Sequence, residues 1–273
     1  MEYETYQPDL ELSDFVKCFW TLRVPAGPDP QKQRIVPDGC VEMIFTLGDD
    51  VRRYINETDH IIQPRGMILG QLTEPLCIEP TGAVDTFAVR FFPGGFIPFT
   101  TLSMPDLENT ETDMSAVFGE EDAANLKKLV VNAANTEERI QIVQAFLAQK
   151  LRDAKHIDRI LRSTVDLILA SKGRVPVGGI LQENILKRRQ LERRFSKLVG
   201  LSPKQLARIV RLQSTLQMLL NNDDSSLTSL AIENEYYDQA HFIKDFREFT
   251  GTNPNKFLKD NALVLSTAFY QKE

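Results

Sequence analysis

Nine basic side chains lie between Lys187 and Arg211, and Glu192 is the one acid among them. Positive charge at that density can pair with a polyanion and donate to phosphate oxygens. A solvated helical face is the plainer alternative for any basic stretch. The division of charge along the chain favours the polyanion. Net charge is −6, yet residues 171–262 carry 15 Lys/Arg against 10 Asp/Glu, whereas residues 1–170 carry 16 against 27. A basic module joined to an acidic remainder is the pattern of a nucleic-acid-binding unit attached to something else.

Enzymatic chemistry finds no comparable set of residues. The three histidines, His60, His156 and His241, are scattered along the chain, and Cys18, Cys40 and Cys77 show no CxxC spacing. Metal-dependent chemistry needs such ligands clustered. No phosphate loop or nucleophile elbow is present. The expectation is therefore a non-enzyme with no cofactor and no metal. The start, Met1-Glu2-Tyr3-Glu4, lacks a signal peptide's basic and apolar regions. No apolar run approaches the ~18 residues of a membrane span. A cytoplasmic protein with reduced thiols and no membrane partner is expected.

The elements that must position the basic residues repeat about 51 residues apart. Leu191, Phe195, Gly200, Ser202 and Pro203 are matched by Phe242, Phe246, Gly251, Asn253 and Pro254. Each copy pairs apolar residues at i, i+4 on one helix face. Each then has Gly where a helix stop needs positive φ, and a capping residue before Pro at the start of the next helix. The spacing predicts a short helix with Leu181, a turn at Asn184–Leu186, and a helix from Lys187 to Val199 with Leu191, Phe195 and Leu198 inward. Arg188, Arg189, Glu192 and Arg193 then face outward. A long helix from Pro203 to about Leu220 would span roughly 27 Å. Ser226 caps the helix bearing Leu227, Leu230 and Ala231. After a turn at Glu235–Tyr237, a helix from Asp238 turns Phe242, Phe246 and Phe249 inward. Gln239, Ala240, His241, Ile243 and Lys244 face outward. Two helix-turn-helix units held apart by a long helix suit successive major grooves, about 34 Å apart on one face of double-stranded DNA.

The first half reads as β-rich. Phe19–Val24, Cys40–Leu47 and Thr86–Phe92 are β-branched and aromatic, bounded by Pro- and Gly-containing turns. An antiparallel barrel or sandwich is expected. Helical periodicity from about 120 to 171 marks a connector. The expected fold is α+β with two domains. Residues 1–155 form a β-rich sensor or dimerisation domain with the helical connector. Residues 156–262 form an all-α double helix-turn-helix domain, and 263–273 are a C-terminal tail.

The region from about 156 to 260 resembles the DNA-binding domain of the AraC/XylS family of bacterial transcription regulators. Arg189–Phe195 with Val199–Pro203 resembles the first unit of that family; Tyr236–Phe242 with Phe246–Gly251 and Pro254 resembles the second. The resemblance implies that Arg189, Glu192 and Arg193 of the first recognition helix, and Gln239, Ala240 and Lys244 of the second, face base edges. The side-chain chemistry is compatible: Arg can read guanine, Gln adenine, Lys guanine or phosphate, Glu cytosine N4, and Ala a thymine methyl. Glu192 can equally pair with Arg188 or Arg189. Arg188, Arg194, Lys197, Arg208 and His241 are expected at or near phosphates. Ile185 and Glu235 stand where the family commonly has turn glycines, and Lys187 where it has a capping Ser. The resemblance makes RNA polymerase a partner for activation, without distinguishing activation from repression.

Val36–Glu42, Gly70–Thr73 and Val89–Gly95 resemble an uncharacterised β-rich domain that precedes this DNA-binding domain in some family members. In the wider family such a domain binds an effector or dimerises. Asp38, Glu42 and Arg90 could form a polar cluster in an effector pocket walled by Trp20 and Phe92. Alternatively, Asp38-Gly39 makes a turn and Arg90 neutralises a structural carboxylate. In that case the domain is a dimerisation or protein-docking module without a small-molecule ligand.

Overall fold

A computed structural model describes residues 1–27, 31–153, 159–174, 185–221, 227–257 and 259–271. Among the described residues, ten strands form two antiparallel sheets. The larger contains β1 (Glu2–Tyr6), β2 (Val16–Val24), β4 (Val41–Thr46), β7 (Gly66–Leu69), β9 (Val84–Phe91) and β10 (Glu111–Asp113), ordered β1-β2-β9-β4-β7-β10. The smaller contains β3 (Gln33–Ile35), β5 (Val51–Tyr54), β6 (His60–Ile62) and β8 (Leu76–Pro80), ordered β3-β8-β5-β6.

Alternation along the central strands explains why the larger sheet is buried on both faces. Phe19, Met43, Phe45, Ile68, Phe87 and Val89 point to one side, and Trp20, Ile44, Met67 and Ala88 to the other. The second set meets Ile35 and Ile78 of the smaller sheet. The first set is covered by α1 (Met114–Phe118), α2 (Glu120–Asn132) and α3 (Thr136–Asp153), through Met114, Leu126, Val130, Val143 and Leu147. The stretch expected as a connector is, up to Asp153, a third layer of the β-rich domain.

The second half is helical: α4 (Arg159–Ala170), α5 (Ile185–Val199), α6 (Pro203–Asn221), α7 (Leu227–Glu233), α8 (Gln239–Thr250), α9 (Pro254–Phe257) and α10 (Val264–Gln271). One core joins them, containing Leu161 and Val165 of α4, Phe195 of α5, Leu212 and Leu216 of α6, and Phe242, Phe246 and Phe249 of α8. Ile185 and Leu186 already belong to α5, which places Lys187 inside the helix instead of at its cap. Leu181, Asn184 and Ser226 lie outside the described residues. Residues 263–273, expected as a tail, include α10, which packs against both β3 and α6.

Candidate nucleic-acid interface

The two helices expected to read DNA, α5 and α8, end and restart as the repeat requires. Gly200 and Gly251 have φ of +87° and +69°, and their amides donate to Ser196 and Arg247 carbonyls. Either left-handed residue would strain with a Cβ. At the start of α6, the Ser202 amide donates to Gln205 Oε1 (3.0 Å) and the Gln205 amide to Ser202 Oγ (3.2 Å). This reciprocal pair satisfies two helix-end donors. Asp238 caps α8 by accepting from the His241 amide (2.7 Å). Asn253 does the same for Lys256 ahead of α9 (3.1 Å).

These caps present an exposed polar row on each helix. Arg189, Arg193, Arg194 and Lys197 of α5 are exposed, Glu192 is half-buried, and Phe195 on the opposite face is buried. On α8, Gln239, Ala240 and Lys244 are exposed while Phe242 and Phe246 are buried. The Arg188 side chain lies outside the described residues. His241 is half-buried, its ring 5.7 Å from the Tyr236 ring, edge to face. That packing position leaves it less accessible than its neighbours on the row.

Arg208 departs from its expected place near phosphate. Its guanidinium donates to both carboxylate oxygens of Asp245 (2.8 and 3.2 Å) and both of Glu248 (2.7 and 3.0 Å). It also stacks 4.9 Å from the Phe249 ring centroid. Asp245 is only 2% exposed. These hydrogen bonds raise the Arg208 pKa and hold the Glu248 carboxyl below its ordinary value. With every arm engaged, Arg208 fastens α6 to α8. Composition alone could not distinguish this basic residue from the exposed ones. The signal available was Asp245, an acid three residues after Phe242 and one before Phe246, close to the buried side of α8.

Arg211 makes a second tie that the sequence reading missed. Nε and Nη2 donate to the Gly173 carbonyl (3.2 and 2.8 Å), and Nη1 reaches the Glu235 carbonyl (3.4 Å). Glu235 has φ +55°. The turn before α8 thus keeps the left-handed conformation that the family's glycine would adopt without strain.

The expected cluster in the β-rich domain divides. Arg90, 4% exposed, donates to Glu42 (2.7 Å) and lies 3.5 Å from Asp38. Trp20 Nε1 also donates to Glu42 (3.2 Å). Burial pushes the Glu42 carboxyl upward, and neighbouring Asp38 adds to this, while Arg90 opposes it. Asp38 also accepts from the Cys40 amide (2.9 Å), beside Gly39 at φ +79°. Both features of the plainer alternative, a turn at Asp38-Gly39 and neutralisation by Arg90, are therefore present. Phe92 is not a wall of this cluster: it lines a groove of about 560 Å³ with Phe15, Gly94 and residues of α4 and α5. A separate cavity of about 80 Å³ lies between the sheets, walled by Trp20, Ile44, Met67 and Ile78 with Glu42 and Gln63. Among the described residues, no group of three or more His, Cys, Asp or Glu could hold a metal ion, and no helix could cross a membrane.

Comparisons with known proteins match two separate stretches of the chain. Residues 183–260 match the family described as a helix-turn-helix domain, and residues 4–113 match a domain of unknown function (DUF6597). An uncharacterized HTH-type transcriptional regulator of Haemophilus influenzae is 32% identical over 78 residues, covering 29% of this chain and 26% of that protein. The chain thus matches about a quarter of that relative's length. A solved structure of ToxT from Vibrio cholerae is similar over 95% of this chain and 98% of its own, with 10% identity and a TM-score of 0.47. Another, wild-type ToxT bound to unsaturated fatty acid, covers 88% of this chain and 94% of its own, at 10% identity and TM-score 0.46. The chain therefore carries a helix-turn-helix domain over residues 183–260, behind a β-rich region that matches a domain of unknown function.

Proposed function

We propose that this protein is a sequence-specific transcription regulator whose helices α5 and α8 read adjacent major grooves of duplex DNA. The observation that carries this reading is the pair of exposed polar rows on capped helices of a helix-turn-helix domain. Arg189 and Arg193 stand on one, backed by buried Phe195, and Gln239 and Lys244 on the other, backed by buried Phe242 and Phe246. Arg can bond guanine through two donors, and Gln can bond adenine through donor and acceptor together. Arg194 and Lys197 have the exposure required for phosphate contacts. Contact with RNA polymerase and pairing of two copies are carried by the family resemblance alone.

Selection of genomic DNA fragments by the full-length protein, at two salt concentrations, tests this function. Recovery of a common sequence that persists at the higher salt supports it. Recovery of only sequence-random, salt-sensitive fragments contradicts it, because backbone attraction alone behaves that way.

Effector control is the accompanying proposal for the β-rich domain, and the cavity between its sheets favours it over a module that only docks proteins. Aliphatic and aromatic walls there converge on Glu42 and Gln63. A few polar groups in an apolar concavity are what orient a small ligand.

A further inference from the structure

The cavity between the sheets is lined on one side by a residue of α10. Leu265 of α10 is 7% exposed and belongs to the same apolar cluster as Trp20, Ile44, Met67 and Leu76. Around it, α10 and the turn before it clasp strand β3. Gln33, itself buried, donates through Nε2 to the Asn261 carbonyl (3.0 Å) and accepts through Oε1 from the Leu265 amide (3.2 Å). Ser266 accepts from the Val36 amide (3.2 Å) and donates to the Arg34 carbonyl (2.8 Å). Arg34 in turn pairs with Asp260 and donates to the Thr250 carbonyl at the end of α8 (3.2 Å). One short segment therefore lines the cavity and is tied, through Arg34, to the end of α8.

We propose that α10 is a displaceable plug. A small apolar ligand with one hydrogen-bond donor enters between the sheets by taking the place of Leu265, and so releases the clasp between β3 and the second helix-turn-helix unit. The size of the ligand follows from the space. The existing void is about 80 Å³, and the departing leucine side chain adds to it. An apolar void of roughly 150 Å³ is enough for a single aromatic ring. Glu42 sets the polar end: its carboxylate already accepts from Trp20 and Arg90, and it lines the void. The output follows from the bonds around Gln33, Arg34 and Ser266, since a ligand cannot occupy the position of Leu265 while they persist. This inference rests on the effector reading of the cavity, and only its output depends on DNA binding.

Trp20 is the single tryptophan and stands in the cavity wall, so its emission reports the site directly. The test is titration of the full-length protein with phenol, read by Trp20 fluorescence and by hydrogen exchange of residues 261–271, without DNA. Wild-type protein should show a saturable change in Trp20 emission together with faster exchange across 261–271. Leu265→Ala and Gln33→Ala should each bind phenol about tenfold more tightly, because less of the protein is held in the closed state. Gln33→Ala separates plugging from simple enlargement, since it weakens the clasp and leaves Leu265 intact. A gain confined to Leu265→Ala would overturn the proposal, as would phenol binding that leaves exchange of 261–271 unchanged. Absence of any saturable Trp20 response in all three proteins would instead overturn the effector reading of the cavity itself. Failure of the DNA-binding function appears separately, in the recovery of genomic fragments.

Discussion

At the scale of residues, basic side chains in one stretch do two different jobs, and burial separates them. Arg193 is exposed on α5 with its guanidinium on the outward row. Arg193→Ala should lose roughly 1–3 kcal/mol of specific binding and relax preference at one base position. Competition between the selected site and single-base variants measures this, and unchanged affinity with unchanged preference would remove Arg193 from the reading face. Arg208, by contrast, neutralises Asp245 inside the domain. Arg208→Ala should cost about 3–5 kcal/mol of folding stability, because it leaves a buried carboxylate unpaired. Urea unfolding of the two proteins checks it; equal midpoints would contradict the structural assignment. The pH dependence has a fixed sign. Glu248 is held below its ordinary value of 4.5 by Arg208, so its share of stability is present above that pH and is lost as pH falls through the lower folded value. The gap between wild type and Arg208→Ala should therefore narrow in acid. A gap that widens there would contradict the ion pair. From sequence, Lys187–Arg211 read as one basic run, because charge count carries no information about which arginine has an acid facing it from α8.

At the scale of elements, the repeat made helices α5 and α8 legible since caps, glycine stops and apolar spacing are local signals. Phe246→Ala should cost about 3–5 kcal/mol, as the ring is fully buried between Phe242 and Phe257. Unfolding measured by helical circular dichroism would show it, and an unchanged transition would mean the ring is not in the core. The turn before α8 is a point where local rule and structure conflict. Glu235 keeps φ +55°, so Glu235→Gly should stabilise the domain by roughly 1 kcal/mol through relief of backbone strain. A loss of stability would mean that the Glu235 side chain contributes more than its backbone costs. Strands β2, β4 and β9 were legible for a different reason: burial on both faces makes them continuous apolar runs. Strand β6 is exposed along its whole length, β5 carries Arg52 and Arg53, and β3 has only three residues. Such short or exposed segments are defined by their ladder partners, and no periodicity in their own residues marks them.

At the scale of the whole molecule, the β-rich domain rests on both helix-turn-helix units at once. Gly39 sits in a left-handed turn where a Cβ would come within 2.8 Å of the Leu206 side chain on α6, while Arg34 reaches the end of α8. The segment between these contacts spans the two units and links their orientations to the barrel. Helix α10 completes that link, yet the sequence marked it only as a tail. Its partners Gln33 and Arg34 lie 232 residues away along the chain, and no local pattern encodes a contact of that separation. The polar cluster was half legible: Asp38, Glu42 and Arg90 do come together, but Phe92 faces α4 and α5 because Pro93 and Gly94 carry the chain away from the sheet.

The central claim is that two helices of one chain read two adjacent major grooves, and methylation interference on a genomic site selected by the full-length protein tests it most directly. The account predicts two patches of interference, centred about one helical turn or 10 base pairs apart on one face of the duplex. Arg193→Ala should weaken one patch and Gln239→Ala the other. A single patch, or two patches that respond together to both substitutions, would contradict it.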